Sequence, residues 1–272
     1  MRLNRNIASQ TPRPSWPAPV IGMVALLVSI GTTSVHAQKK TDPKDARPQA
    51  IVALPMAVEL GKSTKVTLRG LRLESVTEVR FGEPRTTGKI VGKPRKIGLP
   101  NNANVNIVGD SEIDIEVTLP KEVPGDVVPF TLISPAGESK PHRLLVKDGS
   151  PIIVEKEPNE GFKQAQPITV PSLVEGSIRQ AQDVDVFRID GKAGDAIRIE
   201  LQAARFGSPV DGILTLYDDN GRVIATADDT PGSSDPILNV NLPKTGSYYL
   251  SLIDANDQGG NIYVYRLLVR VP

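Results

Sequence analysis

The sequence has 272 residues but no cysteine, one tryptophan and two histidines. Without cysteine it has no disulfide, no thiolate metal site, no cysteine nucleophile and no lipidated cysteine. Its apolar fraction of 39% is too high for wholesale disorder. The 23 glycines and 24 prolines exclude a coiled coil and a multi-span membrane protein. At roughly 150 residues per domain, this length predicts about two domains.

Residues 1–37 have the pattern of a secretory signal peptide. Three arginines and no acidic residue precede an apolar run at residues 20–30, and Ala37 ends a small-residue cleavage pattern. The run is shorter than the about 20 residues that a membrane helix needs. We expect cleavage after Ala37, no membrane span thereafter, and a mature protein that is secreted, periplasmic or on the cell surface. An uncleaved N-terminal anchor is the alternative.

Cleavage would also remove Trp16 and His36, so that His142 becomes the only histidine of the mature chain. This excludes a multi-histidine metal site, and any Ser-His-Asp triad would have to use His142. His142 lies in a strand-like stretch, where we expect a solvent-facing structural residue. We therefore predict no catalytic residue, no cofactor-binding residue and no enzymatic activity.

The mature chain has the short, punctuated runs of an all-β protein. Residues 38–50 are charged and contain proline, which predicts a flexible linker. From residue 51 to residue 148, β-branched runs alternate with turn residues, and residues 112–117 alternate strictly between polar and apolar. A basic stretch at residues 86–104 reads as an exposed loop. These features predict a β-sandwich over residues 51–148.

Residues 149–272 contain eight further strand-like runs separated by turns such as Asn220-Gly221. Their number and spacing predict a second sandwich of the jelly-roll type. The predicted fold class is therefore all-β, with an immunoglobulin-like (Ig-like) sandwich followed by a jelly roll.

Charge differs between the two halves. Residues 51–150 carry 14 basic and 12 acidic residues, and residues 151–272 carry 11 and 17. An acidic module repels nucleic acid, so we expect no nucleic-acid partner. The basic stretch around Lys89 and Arg95 is the one place where a polyanion could dock, although a solvated loop is the simpler interpretation.

The first module resembles the IPT/TIG family of extracellular Ig-like sandwiches. The resemblance rests on residues 61–70 (GKSTKVTLRG), 79–82 (VRFG) and 134–139 (SPAGES). It covers most of residues 51–148, although the stretch at 86–104 departs from the family pattern. The family has no fixed catalytic residue, so the resemblance implies a spacer or binding domain.

The second module resembles the bacterial pre-peptidase C-terminal domain, a secreted jelly-roll module. The matching motifs are EKEPNE from residue 155, Gly176, DVDVFRI from residue 183, LTLYD from residue 214 and GSYYL from residue 246. The resemblance implies a module that accompanies secreted peptidases and that in some relatives binds calcium and collagen-like or polysaccharide surfaces. We recognise no peptidase motif in this sequence and expect no peptidase domain within it.

Calcium is the candidate cofactor of the second module. Glu155, Glu157 and Asn159 alternate along an extended segment, so all three side chains can point one way, and Ca²⁺ takes such oxygen ligands. The resemblance adds aspartates at the start of a following strand. The candidate metal ligands are Glu155, Glu157, Asn159, Glu160, Asp183 and Asp185. The alternative is a turn at Glu-Pro-Asn and aspartates that cap a strand.

Four tyrosines have two interpretations, either an exposed strip that contacts a polymer or packing at the sandwich edge: Tyr248, Tyr249, Tyr263 and Tyr265. Taken together, the sequence predicts an exported, non-catalytic binding or adhesion protein with calcium as a candidate cofactor. Its expected partner is an extracellular polymer, protein or polysaccharide. The alternatives are an accessory or targeting module of a secreted peptidase and a hydrolase hidden in the sandwich.

Overall fold

The computed structural model describes residues 45–99, 103–147, 149 and 151–272. The predicted signal peptide lies outside these residues, as do residues 38–44 of the predicted linker. The regular secondary structure of the described residues is almost entirely strand, which confirms the all-β prediction. The first strand already begins at Gln49, within the predicted linker. The strands are β1 (Gln49–Leu54), β2 (Ala57–Glu59), β3 (Ser63–Leu71), β4 (Glu78–Phe81), β5 (Thr87–Lys96), β6 (Ser111–Thr118), β7 (Val127–Ser134), β8 (Gly137–Glu138), β9 (His142–Lys147), β10 (Ile152–Val154), β11 (Gln166–Ile168), β12 (Ser172–Ser177), β13 (Val184–Gly191), β14 (Ala196–Gln202), β15 (Gly212–Asp218), β16 (Val223–Ala227), β17 (Ile237–Asn241), β18 (Gly246–Asp254) and β19 (Val264–Arg270).

Strands β1 to β9 form a sandwich of two sheets. One sheet has the order β1-β3-β6-β5 and the other β2-β9-β7-β4, with β8 paired to β7. All pairs are antiparallel except β2 with β9. This is the arrangement of strands in Ig-like sandwiches. Alternation in β6 explains the layering, because Ile113, Ile115 and Val117 are fully buried in the core while the intervening acidic residues face outward.

The basic stretch at residues 86–104 was wrongly predicted to be a loop throughout. Most of it is the edge strand β5, followed by a single-turn helix at Val105–Val108. The strand pairs with β6, and its basic side chains form cross-strand ion pairs with the outward carboxylates of β6. Arg95 lies 2.6 Å from Glu112, and Lys89 pairs with Glu116 at 2.5 Å. These basic side chains are thus neutralised within the sheet, which removes the feature that favoured a polyanion there.

Strands β10 to β19 form a second sandwich of two five-stranded sheets. Their orders are β10-β12-β19-β14-β17 and β11-β13-β18-β15-β16. Only the short edge strands β10 and β11 run parallel to their neighbours. Apolar side chains from both sheets fill the space between them. The fully buried members of this core include Val174, Phe187, Ile199, Leu201, Leu214, Tyr248, Leu250, Leu252 and Leu267.

A smaller apolar cluster joins the two sandwiches. The ring centroid of Phe206, in the second sandwich, lies 5.3 Å from the guanidinium carbon of Arg143 and 5.9 Å from that of Arg205. Arg143 also donates a 2.7 Å hydrogen bond to the carbonyl of Arg205. Next to them, Gly207 has a positive φ of 87°, and a Cβ there would lie 1.6 Å from the carbonyl oxygen of Ile51. The cluster comprises Ile51, Val52, Met56, Ala57, Leu71, Leu145, Phe206 and Ile262.

No helix among the described residues has the length and apolarity needed to cross a membrane.

Candidate metal centre

Five of the six candidate ligands meet at one end of the second sandwich. The segment that follows β10 carries Glu155, Glu157 and Asn159 across this end, and β13 begins beside Asp183 and contains Asp185. We call these five residues the acidic cluster. Carboxylate oxygens of Glu155, Glu157 and Asp185 all lie within 4.8 Å of one another. One metal ion can therefore reach all three carboxylates.

Glu160 is the exception. It is exposed, and it is not among the carboxylates that converge. The alternation of Glu155, Glu157 and Asn159 predicts this outcome, because the next residue of an extended segment points the opposite way. Its proposed role came from family resemblance alone.

The acidic cluster is buried and largely hydrogen-bonded. Glu155 Oε1 accepts a 3.0 Å bond from the Asn159 side-chain amide, and Oε2 accepts a 2.7 Å bond from the Ser177 backbone N–H. Asp183 Oδ2 accepts a 2.6 Å bond from the backbone N–H of Arg179. Four of its five members are at least nine-tenths buried: Glu155, Asn159, Asp183 and Asp185. The buried cluster is thus held in place from several strands.

Two oxygens of the cluster have no partner among the described protein groups. They are Asn159 Oδ1 and Asp185 Oδ1, both fully shielded from solvent and without a hydrogen bond. Such groups are rare in folded proteins because an unpaired buried acceptor costs about 1–3 kcal/mol. A cation bound beside the converging carboxylates would satisfy both oxygens. The donor set, which contains only carboxylate and amide oxygens, fits a hard cation such as Ca²⁺.

Electrostatics in the cluster also favour a cation. Burial raises the pKa of Asp185, and the adjacent carboxylate of Glu155 raises it further. Burial followed by the charges of Glu155 and Asp183 raises the pKa of Glu157, although the guanidinium of Arg179 acts in the opposite direction. The carboxylates therefore repel one another in a poorly solvated place. A bound cation would relieve this repulsion, as would a proton on Asp185.

Two residues around the cluster were not predicted as part of the site. The hydroxyl of Tyr265, on β19, donates a 2.8 Å hydrogen bond to Asp185 Oδ2 and is fully buried. Gly176, on β12, faces the same group, since a Cβ there would lie 2.5 Å from the Tyr265 hydroxyl and 2.6 Å from Glu155 Oε2. The glycine is required by this close approach. Only its place in the family motif pointed to it.

The four tyrosines, for which the sequence left two interpretations, do not form one exposed strip. Tyr248 and Tyr265 are buried, whereas Tyr249 and Tyr263 are half-buried. Strand alternation explains the difference between the neighbours Tyr248 and Tyr249, because Tyr248 points into the core and Tyr249 points outward.

His142, expected to face solvent, is half-buried. Its ring packs edge-on against Phe130, with ring centroids 5.4 Å apart, and its Cε1 lies against Gly207 of the second sandwich. Burial lowers the pKa of His142 to about 4, and the charge of Arg143 contributes to the decrease. Its Nε2 is shielded and without a hydrogen bond, so the imidazole is a neutral packing residue at neutral pH.

Comparisons with known proteins agree with the resemblance of the second module. The model of the family "Bacterial pre-peptidase C-terminal domain" matches residues 183–253, which include Asp183 and Asp185. A protein of Deinococcus radiodurans, named "Probable subtilase-type serine protease", is 34% identical over 103 residues, or 37% of this chain and 14% of that protein.

Two solved structures also match parts of the chain. The pre-peptidase C-terminal domain of a Bacillus anthracis collagenase is 20% identical, with a TM-score of 0.33, and the match covers 42% of this chain and 99% of that one. A periplasmic inhibitor of g-type lysozyme from Aeromonas hydrophila is 16% identical, with a TM-score of 0.29, covering 39% of this chain and 96% of that one. The family match thus spans one segment of the second sandwich, and the chain spans only 14% of the curated relative.

Proposed function

We propose that this protein is an exported, non-catalytic binding module whose second sandwich holds a calcium ion in the acidic cluster. The observation that carries the proposal is the convergence of three carboxylates beside two shielded oxygens that lack a hydrogen bond, Asn159 Oδ1 and Asp185 Oδ1. We further propose that the first sandwich is an IPT/TIG-like spacer and that the protein attaches to an extracellular polymer.

Calcium fits the cluster better than the other common protein metals. Zinc prefers histidine and cysteine ligands, and the only described histidine, His142, packs against Gly207 rather than in the cluster. Magnesium usually retains several waters, whereas four of the five cluster residues are at least nine-tenths buried. Calcium accepts carboxylate and amide oxygens in flexible numbers. Glu155, Glu157, Asn159 and Asp185 would supply them, and Asp183 would add negative charge nearby.

The ion would have a structural role. It would tie the segment that carries Glu155 to Asn159, which leads out of β10, to Asp185 on β13. These two strands belong to opposite sheets of the sandwich. Because only the folded protein offers this site, calcium would stabilise it by mass action, by about 2.7 kcal/mol at a concentration one hundred times Kd.

Melting in millimolar calcium and in chelator tests the metal site. We expect a higher Tm in calcium for the natural protein and no calcium-dependent shift for Asp185→Asn. Burial and the neighbouring Glu155 already favour the neutral form of Asp185, so this variant should melt in chelator at a temperature no lower than that of the natural protein. Loss of its calcium-dependent Tm shift would therefore not reflect misfolding. Glu160→Gln is the matched control in the same segment and should keep the full shift. Equal Tm values of the natural protein in calcium and chelator would refute the proposal.

The side chains support a non-catalytic role. The neutral His142 lies at the junction between the sandwiches, packed against Phe130 and Gly207. Two of the three converging carboxylates, those of Glu155 and Asp185, are buried rather than lining an open cleft. We therefore expect no peptide or glycoside turnover by the purified protein.

Polymer attachment is tested by sedimentation with insoluble collagen, peptidoglycan and polysaccharide, with and without chelator. Retention of the natural protein on one of them without turnover supports a binding module. Absence from every pellet in calcium would contradict it.

The second candidate is an accessory or targeting module of a secreted peptidase. The observation that favours it is the 34% identity over 103 residues to the protein named as a subtilase-type protease. Recovery of a peptidase with the tagged protein from its native host, at constant stoichiometry, would support this candidate over polymer adhesion.

A further inference from the structure

A cleft of about 520 Å³ lies at the junction of the two sandwiches. One wall belongs to the first sandwich and carries Leu145 and Val146, and the floor belongs to the sheet of the second sandwich that contains β12, β19 and β14. We call it the junction cleft. Its volume is within the range of about 300–1,000 Å³ that is usual for ligand sites, which often lie between domains. Its lining residues differ from those of the acidic cluster, so it is a separate site.

Strand alternation places three side chains on the floor of the junction cleft. Leu201 is fully buried between the sheets, so Gln202, the next residue of β14, faces the opposite side. On β19, Leu268 likewise follows the fully buried Leu267, and Arg270 faces the same way as Leu268. The outer face of the sheet thus offers an amide, an apolar side chain and a guanidinium group to a ligand.

The two polar groups are at opposite ends of this floor. Gln202 is paired across the sheet with Arg266, four residues before Arg270. Four residues at about 3.4 Å and one interstrand spacing of about 4.8 Å separate the two positions by about 14 Å. Leu268 lies between them, and Leu173 on β12 is opposite Leu268. An extended ligand of this length would reach both polar groups while its middle lies on leucine side chains.

The Gln202 end of the cleft offers a hydrogen-bond acceptor. Gln202 is only 7% exposed, and its Oε1 is shielded without a hydrogen bond to any group of the described chain. An unpaired acceptor is costly, because the hydration that it loses on burial is not replaced. The last torsion of a glutamine side chain is broad, so the carboxamide can turn its oxygen towards the cleft. A ligand with an N–H group at this end would supply the missing hydrogen bond.

The Arg270 end has an excess of positive charge. The carboxylate of Glu200 is shared by three guanidinium groups, at 3.3, 2.8 and 3.1 Å: Arg198, Arg205 and Arg270. Asp235 lies 3.0 Å from Arg205 and is the second carboxylate of this group. Within the described chain, three cations thus share two anions here, and Arg270 is the most exposed of the three. A carboxylate of a ligand would gain a charge-assisted hydrogen bond from it.

The other charged residues of the lining balance each other. Glu175 is shared by Lys147 at 2.9 Å and Arg266 at 3.5 Å. This leaves one cation to offset Asp126, the acidic residue of the lining on the first sandwich. The uncompensated charge is therefore at the Arg270 end. Charge complementarity favours a ligand that has a carboxylate at that end and is neutral along the rest of its length.

We propose that the junction cleft binds the C-terminal end of an apolar peptide. The terminal carboxylate would pair with Arg270, and a backbone N–H about four residues upstream would donate to Gln202 Oε1. The apolar side chains between them would lie on Leu173 and Leu268. A fatty acid would supply the carboxylate and the apolar chain but no N–H group for Gln202. Hydrolysis of peptide bonds is the class of reaction that produces such ends, so a peptidase acting beside this protein would supply the ligand.

Isothermal titration calorimetry tests the proposal with an N-acetylated tetrapeptide of alternating leucine and alanine, either as the free acid or as the C-terminal amide. Lauric acid is the comparison ligand. Arg270→Gln keeps a long polar side chain but removes its charge. Arg188→Gln is the matched control, because Arg188 is similarly exposed and lies 3.8 Å from a carboxylate, but belongs to the other sheet of the second sandwich.

We expect the natural protein and Arg188→Gln to bind the acid about tenfold more tightly than the amide, equivalent to about 1.4 kcal/mol. Arg270→Gln should bind both peptides equally. Gln202→Leu removes the unpaired oxygen, so it should bind the acid more weakly although its Tm is no lower than that of the natural protein.

Four results would overturn the inference: no binding of either peptide by the natural protein, equal binding of acid and amide, an unchanged preference in Arg270→Gln, or binding of lauric acid alone. Full affinity of Gln202→Leu for the acid would contradict the assigned N–H contact. The inference does not depend on calcium. Asp185→Asn should bind the acid as the natural protein does, so a failure of the proposed metal site would leave these results unchanged.

Discussion

His142 should make the protein less stable as the pH falls from 7 to 4. Its pKa is about 4 in the folded protein, because the half-buried ring is desolvated against Phe130 and lies beside Arg143, and 6.5 without these surroundings. The unfolded chain therefore binds a proton at a higher pH than the folded protein does. The stabilisation is complete above pH 6.5 and is lost as the pH falls towards the folded pKa.

The size of the effect follows from the two pKa values. A difference of 6.5 − 4 at about 1.36 kcal/mol per unit sets a limit of about 3.4 kcal/mol. From pH 7.5 to pH 5 the expected loss in free energy of unfolding is about 2 kcal/mol, and by pH 4 it is about 3 kcal/mol. Because His142 packs against Gly207, its protonation would also weaken the junction between the sandwiches.

Urea unfolding followed by far-ultraviolet circular dichroism measures this loss, with chelator present so that calcium does not contribute. His142→Gln is neutral at every pH and should lack the histidine part of the decrease. Carboxylates titrate in both proteins, so the difference between the two pH profiles isolates His142. Parallel profiles for the natural protein and His142→Gln between pH 7.5 and pH 4 would refute the reasoning.

Four other substitutions test the packing and the site. Gly207→Ala should destabilise the protein by more than about 2 kcal/mol in thermal unfolding, because its φ is 87° and the Ile51 carbonyl leaves no room for a Cβ. Leu250→Ala should cost about 2–5 kcal/mol by urea unfolding, since this side chain is fully buried between the sheets. Gly176→Ala should abolish the calcium-dependent Tm shift, because a Cβ would displace Glu155 Oε2; a retained shift would contradict the proposed geometry. Tyr265→Phe should cost about 1–3 kcal/mol in chelator by removing the hydrogen bond to Asp185, and less in calcium; an equal cost in both would argue against an ion there.

Strands with one wet and one dry face could be predicted from the sequence. The alternation over residues 112–117 predicted β6, and the structure places its isoleucines and valine in the core. The edge strand β5 could not be recognised, since it has an almost wholly polar pattern and contains glycine and proline. Its pairing with β6 includes ion pairs from Lys89 and Arg95 to residues more than fifteen positions away, and local pattern does not reveal such pairs.

The candidate metal site likewise has a part that could be predicted from the sequence and a part that could not. The sequence by itself determined which oxygen-bearing side chains share one side of an extended segment, because alternation is a local property of the backbone. This assigned Glu155, Glu157 and Asn159, whereas the family resemblance added Glu160, Asp183 and Asp185. Only the tertiary structure decided that Asp185, Gly176 and Tyr265 come from three other strands to surround them. The same holds for Phe162, which became an aromatic neighbour of Tyr249 only when the segment folded across the sheet. Contacts between distant strands depend on how the sheets pair and pack, and burial at those contacts sets the charges that the site can hold.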